Sequence, residues 1–173
     1  MSTPPPRYAP KRPFPSHAFV PGRTPRHATD ARDGCDGREL GNALAPERWR
    51  EDGDYLFGVD LYNAGFLWEA HEAWEGPWRA STDPRQRLQL QGLIQLAAAC
   101  LKLEMAEPSG ADRLARAASE KLLSLGATEF MGLAPAEVAV ALDSFFAGRP
   151  ASASGRPLLS LRTTAQPPDR PLA

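Results

Sequence analysis

The sequence predicts an all-α protein: a compact bundle of about five helices with disordered, proline-rich ends. Three observations lead there. Between Pro46 and Gly148 the apolar residues recur three and four apart and nowhere alternate over the length of a strand. Helix-starting and helix-stopping residues punctuate that stretch at helix-length intervals. The 18 prolines crowd outside it, which assigns residues 1–45 and 149–173 to disordered tails and residues 46–148 to the folded domain. About a hundred residues bury one adequate core, not two.

The elements follow in order. Glu47 to Asn63 reads as a helix interruptible at Gly53, with Tyr55, Val59 and Tyr62 on one face, and Asn63-Ala64-Gly65 as the turn that ends it. A second helix runs from Phe66 to Arg79, its last turn loosened by Gly76-Pro77. Asp83-Pro84 opens a third, with Asp83 as cap and Gln86 placed to reach back in a capping box; this helix continues to Met105 and is apolar almost all round, as a central element is. Ser109 and Asp112 open a fourth, whose Ala111, Leu114, Ala115, Ala118, Leu122 and Leu125 form one stripe before Gly126. Pro135 opens a fifth, with Val138, Ala141, Leu142 and Phe145 inward and Gly148 at its end. Leu158 to Leu161 is expected as a short extended segment that packs back on the bundle.

Charge is unevenly divided. Residues 46–148 hold 9 Lys and Arg against 16 Asp and Glu, a balance of −7, whereas the two tails hold 11 against 5, a balance of +6. An acidic domain repels phosphate, so nucleic acid is not an expected partner of the folded part, and basic tails of this kind read as solvated. Nor does any stretch reach the length of a membrane span. The N-terminus lacks the apolar core of a secretion signal, and its prolines break the amphipathic helix of a transit peptide. Cys35 and Cys100 form no metal or redox spacing. These readings place the protein in the cytoplasm.

The run Phe66-Leu-Trp-Glu-Ala-His-Glu-Ala-Trp-Glu-Gly-Pro-Trp-Arg79 concentrates one histidine, three glutamates and three tryptophans on one helix. At 100° per residue, Leu67, His71, Trp74 and Trp78 share a stripe, which puts His71 in the middle of the apolar face; Glu75 follows one turn on. Trp68, Glu72 and Arg79 continue the arc, and Glu69 points away into water. The third helix carries a matching polar stripe of Gln91, Gln95 and Lys102, flanked by the small residues Gly92, Ala98 and Ala99. Laying that stripe against the His71–Glu75 face would let amides and carboxylates satisfy each other, as burial demands. The expected binding set is therefore Trp68, His71, Glu72, Glu75, Trp78, Arg79, Gln91 and Gln95.

Three readings of this set stand side by side. In the first it is a structural network that fixes helix register. In the second it is a metal-free pocket in which His71, tuned by Glu75, anchors a ligand or acts as a general base. In the third, His71, Glu72 and Glu75 of the H-E-x-x-E run share a divalent cation, although the domain contains no second histidine. No resident metal or cofactor is expected. The favoured function is binding of a small molecule or a protein partner, a second copy of the chain included; metal-assisted or His-based hydrolysis, with His71 and Glu75 as catalytic candidates, is the alternative.

Asp60-Leu-Tyr-Asn-Ala-Gly-Phe66, Glu69-Ala-His-Glu-Ala-Trp-Glu75 with Trp78-Arg79, and Leu90-Gln-Gly-Leu-Ile-Gln-Leu-Ala97 together resemble the domain of unknown function 309 family, over roughly residues 56–125. The resemblance implies a small α-helical bundle, and it implies no activity.

Overall fold

The computed structural model describes residues 6–27, 44–126 and 128–162. A 3-10 turn at Pro46–Glu51 precedes α1 (Gly53–Ala64), α2 (Leu67–Ala80), α3 (Pro84–Glu104), α4 (Pro108–Ser124) and α5 (Pro135–Ala147). The described residues contain no strand, and each helix packs on the next in chain order. None of these helices is long and apolar enough to cross a membrane.

The expected break near Gly53 falls at Asp52. Its carboxylate accepts from the Asp54 and Tyr55 amides at 3.1 and 3.0 Å and so caps α1. Gly65 ends α1 with φ of +93°, a conformation that favours glycine. Helix α2 runs through Pro77 to Ala80: the proline is buried and lies within a turn of the helix end, so the expected loosening does not terminate the helix.

Helices α1 and α2 approach each other closely at one point in the core. Trp74 is fully buried, and its indole lies over Gly58 so closely that a Cβ there would come within 2.3 Å of Nε1. The same Nε1 donates to the Tyr55 carbonyl at 3.1 Å. Helix α3 fills the centre, with Leu90, Leu93, Leu96, Ala97 and Cys100 all fully buried. The Cys100 thiol is free, and burial pushes its pKa up to about 11.

Asp83 caps α3 as expected, accepting from the Gln86 amide at 2.8 Å. The Gln86 side chain does not close a capping box. It turns inward, accepting from Ser81 Oγ and donating to the Leu44 carbonyl at 3.0 Å, and so ties the entry of the domain to the α2–α3 turn. Gly92 of α3 also serves a different neighbour from the one expected. A Cβ on Gly92 would lie 3.0 Å from Leu122, so it is α4 that approaches there. On α5, Ala139 is buried where Ala141 was expected, and Ala141 is exposed.

Both ends depart from disorder over part of their length. Residues 6–27 lie along α1 and α2 as a strap, with Phe19 buried, because their arginines, aromatics and amides meet acidic and aromatic partners there. Residues 1–5, 28–43, which include Cys35, and 163–173 fall outside the described residues. Leu159 and Leu161 are buried, as expected of a segment folding back. The Asn63 side chain holds that segment by donating to the Leu159 carbonyl and accepting from its amide, each at 2.8 Å.

The Trp74 contact generates a prediction. Gly58→Ala should destabilise the protein by about 1–3 kcal/mol, the usual cost of overpacking a well-filled core, because the intruding methyl meets a fixed indole. Urea midpoints measure it; an unchanged midpoint would show that the helices separate freely here.

Candidate functional site

The α2 residues fan out from Trp74. With Leu67, Ala70, Trp74 and Pro77 buried, the centre of the apolar face lies on that row. His71 therefore sits at its rim, not in its middle as the sequence suggested. Its side chain keeps 27% of its surface exposed. Trp68, Glu72, Glu75 and Trp78 share this half-buried band, and Arg79 is exposed beyond it.

The charges along the rim form a short chain. Arg79 donates to Glu75 Oε2 at 2.7 Å, while Glu75 Oε1 lies 3.6 Å from His71 Nε2, beyond ordinary hydrogen-bond reach. His71 Nδ1 is buried with no partner. Burial lowers the His71 pKa and Arg79 lowers it further, against the opposing pull of Glu75. The imidazole is therefore neutral at pH 7, with one nitrogen unsatisfied. Its ring lies 6.0 Å from that of Trp68, tilted by 34°.

Gln91 and Gln95 do not meet this chain. Both are half-buried, but among the described residues no hydrogen bond joins either to His71 or Glu75, and Gln95 Oε1 is buried without a partner. The amides that α3 does bury are Gln86 and Gln89, and Gln89 donates to the Tyr55 hydroxyl at 3.2 Å. The reason is azimuth. Gln89 belongs to the inward row with Leu90 and Leu93, whereas Gln91 lies some 200° from it around the helix. At the other end of the band, Arg87 donates to the Trp78 carbonyl at 2.9 Å and stacks over the Trp78 ring at 5.1 Å.

Two acidic groups outside the expected set are deeply engaged. Asp60 has no exposed side-chain surface and accepts from Arg7 Nε at 3.0 Å and from the Tyr8 and Ala9 amides at 2.8 Å each. Glu69, expected in water, is 10% exposed under the strap and accepts through Oε1 from the Phe19 amide at 2.8 Å and His27 Nε2 at 3.1 Å. A signal for Asp60 did exist, since it interrupts an otherwise apolar run from Leu56 to Tyr62.

Among the described residues His71 lines neither of two clefts that open on the surface. One, of about 330 Å³, lies between the strap, the α1–α2 turn, the end of α3 and the C-terminal segment, with Phe19, Leu67, Leu101, Glu104 and Arg156 in its walls. The other, of about 260 Å³, lies beside Trp49 and Phe130. Among the described residues, no three His, Cys, Asp or Glu side chains converge as metal ligands; at His71 the nearer carboxylate is already held by Arg79.

Lowering of the His71 pKa links stability to pH. The unfolded histidine protonates around its ordinary value of 6.5 and the folded one only below it. Below pH 6.5 the unfolded chain thus binds more protons, and stability that is complete above that pH declines as the pH falls toward the folded value. In urea unfolding between about pH 7.5 and 5.5, wild type should lose more stability than His71→Gln. Parallel curves for the two would contradict the assignment.

Comparison with known proteins adds one finding. The sequence model of the family described as "Domain of unknown function (DUF309)" matches residues 55–114, from the start of α1 into α4, so this stretch is a DUF309 domain. No curated protein and no solved structure matches the chain.

Proposed function

We propose that this protein, built on a DUF309 domain, is a non-catalytic binding module that engages a partner through the half-buried face around His71. The observation that carries the reading is an unsatisfied ring nitrogen on that face. His71 Nδ1 is shielded from water and without a hydrogen bond, although leaving such a group unpaired costs about 1–3 kcal/mol. A partner that turns this rim ring outward and supplies the complementary group to its nitrogen would recover that energy. Trp68 and Trp78 on the same band provide the large, partly exposed aromatic surface that interfaces favour. A shallow band that borders neither cleft suits a partner's surface better than an enclosed small molecule. A cytoplasmic setting is part of the proposal, supported by Cys100 kept as a free buried thiol.

His-based hydrolysis is the second reading, favoured by one observation: the neutral His71 imidazole is able to accept a proton at pH 7. It predicts turnover of an activated ester that His71→Ala abolishes.

A binding role and a structural one separate cleanly by substitution. For binding, His71→Ala and Glu75→Gln should each shift the melting temperature by no more than about 2–4 °C, roughly 1 kcal/mol for a chain of this size. The same variants should abolish the stabilisation that wild type gains from hits in a thermal-shift screen of peptides and metabolites. A fall of more than about 8 °C in both variants, with no hit that distinguishes them from wild type, would make the face an architectural network instead. Sedimentation of wild type alone shows whether the partner is a second copy.

A further inference from the structure

The strap and the surface beneath it have the composition of a ligand and a receptor. Residues 6–27 contain five lysines and arginines, six prolines and no acidic residue. They lie against Asp54, Asp60 and Glu69, which belong to α1 and α2. Asp60 captures two consecutive backbone amides, those of Tyr8 and Ala9, in addition to the Arg7 side chain. Arg12 donates to Asp54 at 2.7 Å. Between these charges the aromatic rings interlock: Phe14 stacks on Phe66 at 5.2 Å and on Phe57 at 6.3 Å, and Phe19 meets Trp68 edge-on at 5.2 Å. Arg7, Arg12 and Arg26 cover the Phe14, Phe57 and Trp68 rings.

Two further observations distinguish this surface from ordinary packing of a chain end. Asp60 and Glu69 lie within the matched residues 55–114, and the strap lies outside them. The occupant is also an incomplete fit, because Glu69 Oε2 remains buried and unpartnered beneath it. A carboxylate oxygen left in that state calls for a donor the strap does not supply.

We infer that the acidic–aromatic face of α1 and α2 is a peptide-docking groove, and that it binds basic, acid-free segments with spaced aromatic residues on partner proteins, in competition with the chain's own strap. Backbone amides seat on Asp60 and Glu69, phenyl rings enter between Phe57, Phe66 and Trp68, and guanidinium groups cover the rings and pair with the carboxylates. Prolines suit such a ligand because they hold it extended before it binds, which lowers the ordering cost. The groove adjoins the His71 face at Trp68 but shares neither His71 nor Glu75, so either can fail without the other.

The test uses the full chain and a fluorescent peptide of residues 6–27. Weakening the resident strap with Arg7→Ala and Phe14→Ala should tighten peptide binding at least tenfold, because an internal competitor is lost. Adding Asp60→Asn or Glu69→Gln to that chain should weaken binding at least tenfold, and a peptide with its lysines and arginines changed to glutamate should not bind. If the strap variant fails to keep the wild-type circular dichroism, a protease site placed among residues 28–43 replaces it: after cleavage, excess peptide should displace the nicked strap. A strap-weakened or nicked chain that takes up no peptide, or one that binds the charge-reversed peptide equally well, would overturn the inference.

Discussion

The approach of Trp74 to Gly58 governs the rest of the molecule. An indole cannot be fully buried between two helices unless one of them yields the space of a side chain, and Gly58 yields it. The hydrogen bond from Trp74 Nε1 to the Tyr55 carbonyl then fixes how far α2 is rotated about its own axis. Once Trp74 marks the centre, geometry assigns every other position of α2. Ala70 and Pro77 face the core, His71 and Trp78 reach the rim, and Glu69 turns toward the side on which the strap lies. The partial burial of His71, its lowered pKa and its unsatisfied nitrogen all follow from that one rotation.

The division of charge has the same structural origin. A domain of net −7 and tails of net +6 are not independent features, because the acidic side chains of α1 and α2 hold the basic residues of the strap. Exposed pairs such as Arg12 with Asp54 contribute little on their own. Asp60 differs, since it is sealed from water and satisfied by three donors, an arrangement whose disruption leaves a buried charge. The C-terminal segment is joined to the same assembly where the Leu161 amide donates to the Tyr8 hydroxyl at 2.8 Å. Both chain ends are thus stitched to α1, and the family-matched helices form the platform that receives them.

The helices were legible because their signals are local. Asp83-Pro84, Gly65, Gly126 and Pro135 act on the residues next to them, and each marks the boundary it should. Trp68, His71, Glu75 and Trp78 do share one band, but an error of one position on the wheel, about 60° on going from Trp74 to His71, separates a buried residue from a rim residue. Gln91 and Gln95 misled for a different reason. Their spacing showed that they share a face, and nothing local reveals which neighbour that face meets; Gly92 beside them receives Leu122 of α4. The strap was the least legible feature, because its prolines and charges have the composition of disorder. Only the presence of Asp60 and Glu69 some fifty residues away gives that composition a fixed place on the fold.

The claim beneath all of this is that His71 stands half-open to solvent, neutral and unpaired, at the edge of a core centred on Trp74. Nuclear magnetic resonance titration of its imidazole, with a soluble paramagnetic probe present, tests it most directly. The ring should titrate below the ordinary histidine value, and the probe should broaden its signals. A ring that titrates at or above that value, or that the probe leaves untouched, would place His71 inside a sealed and paired network and contradict it.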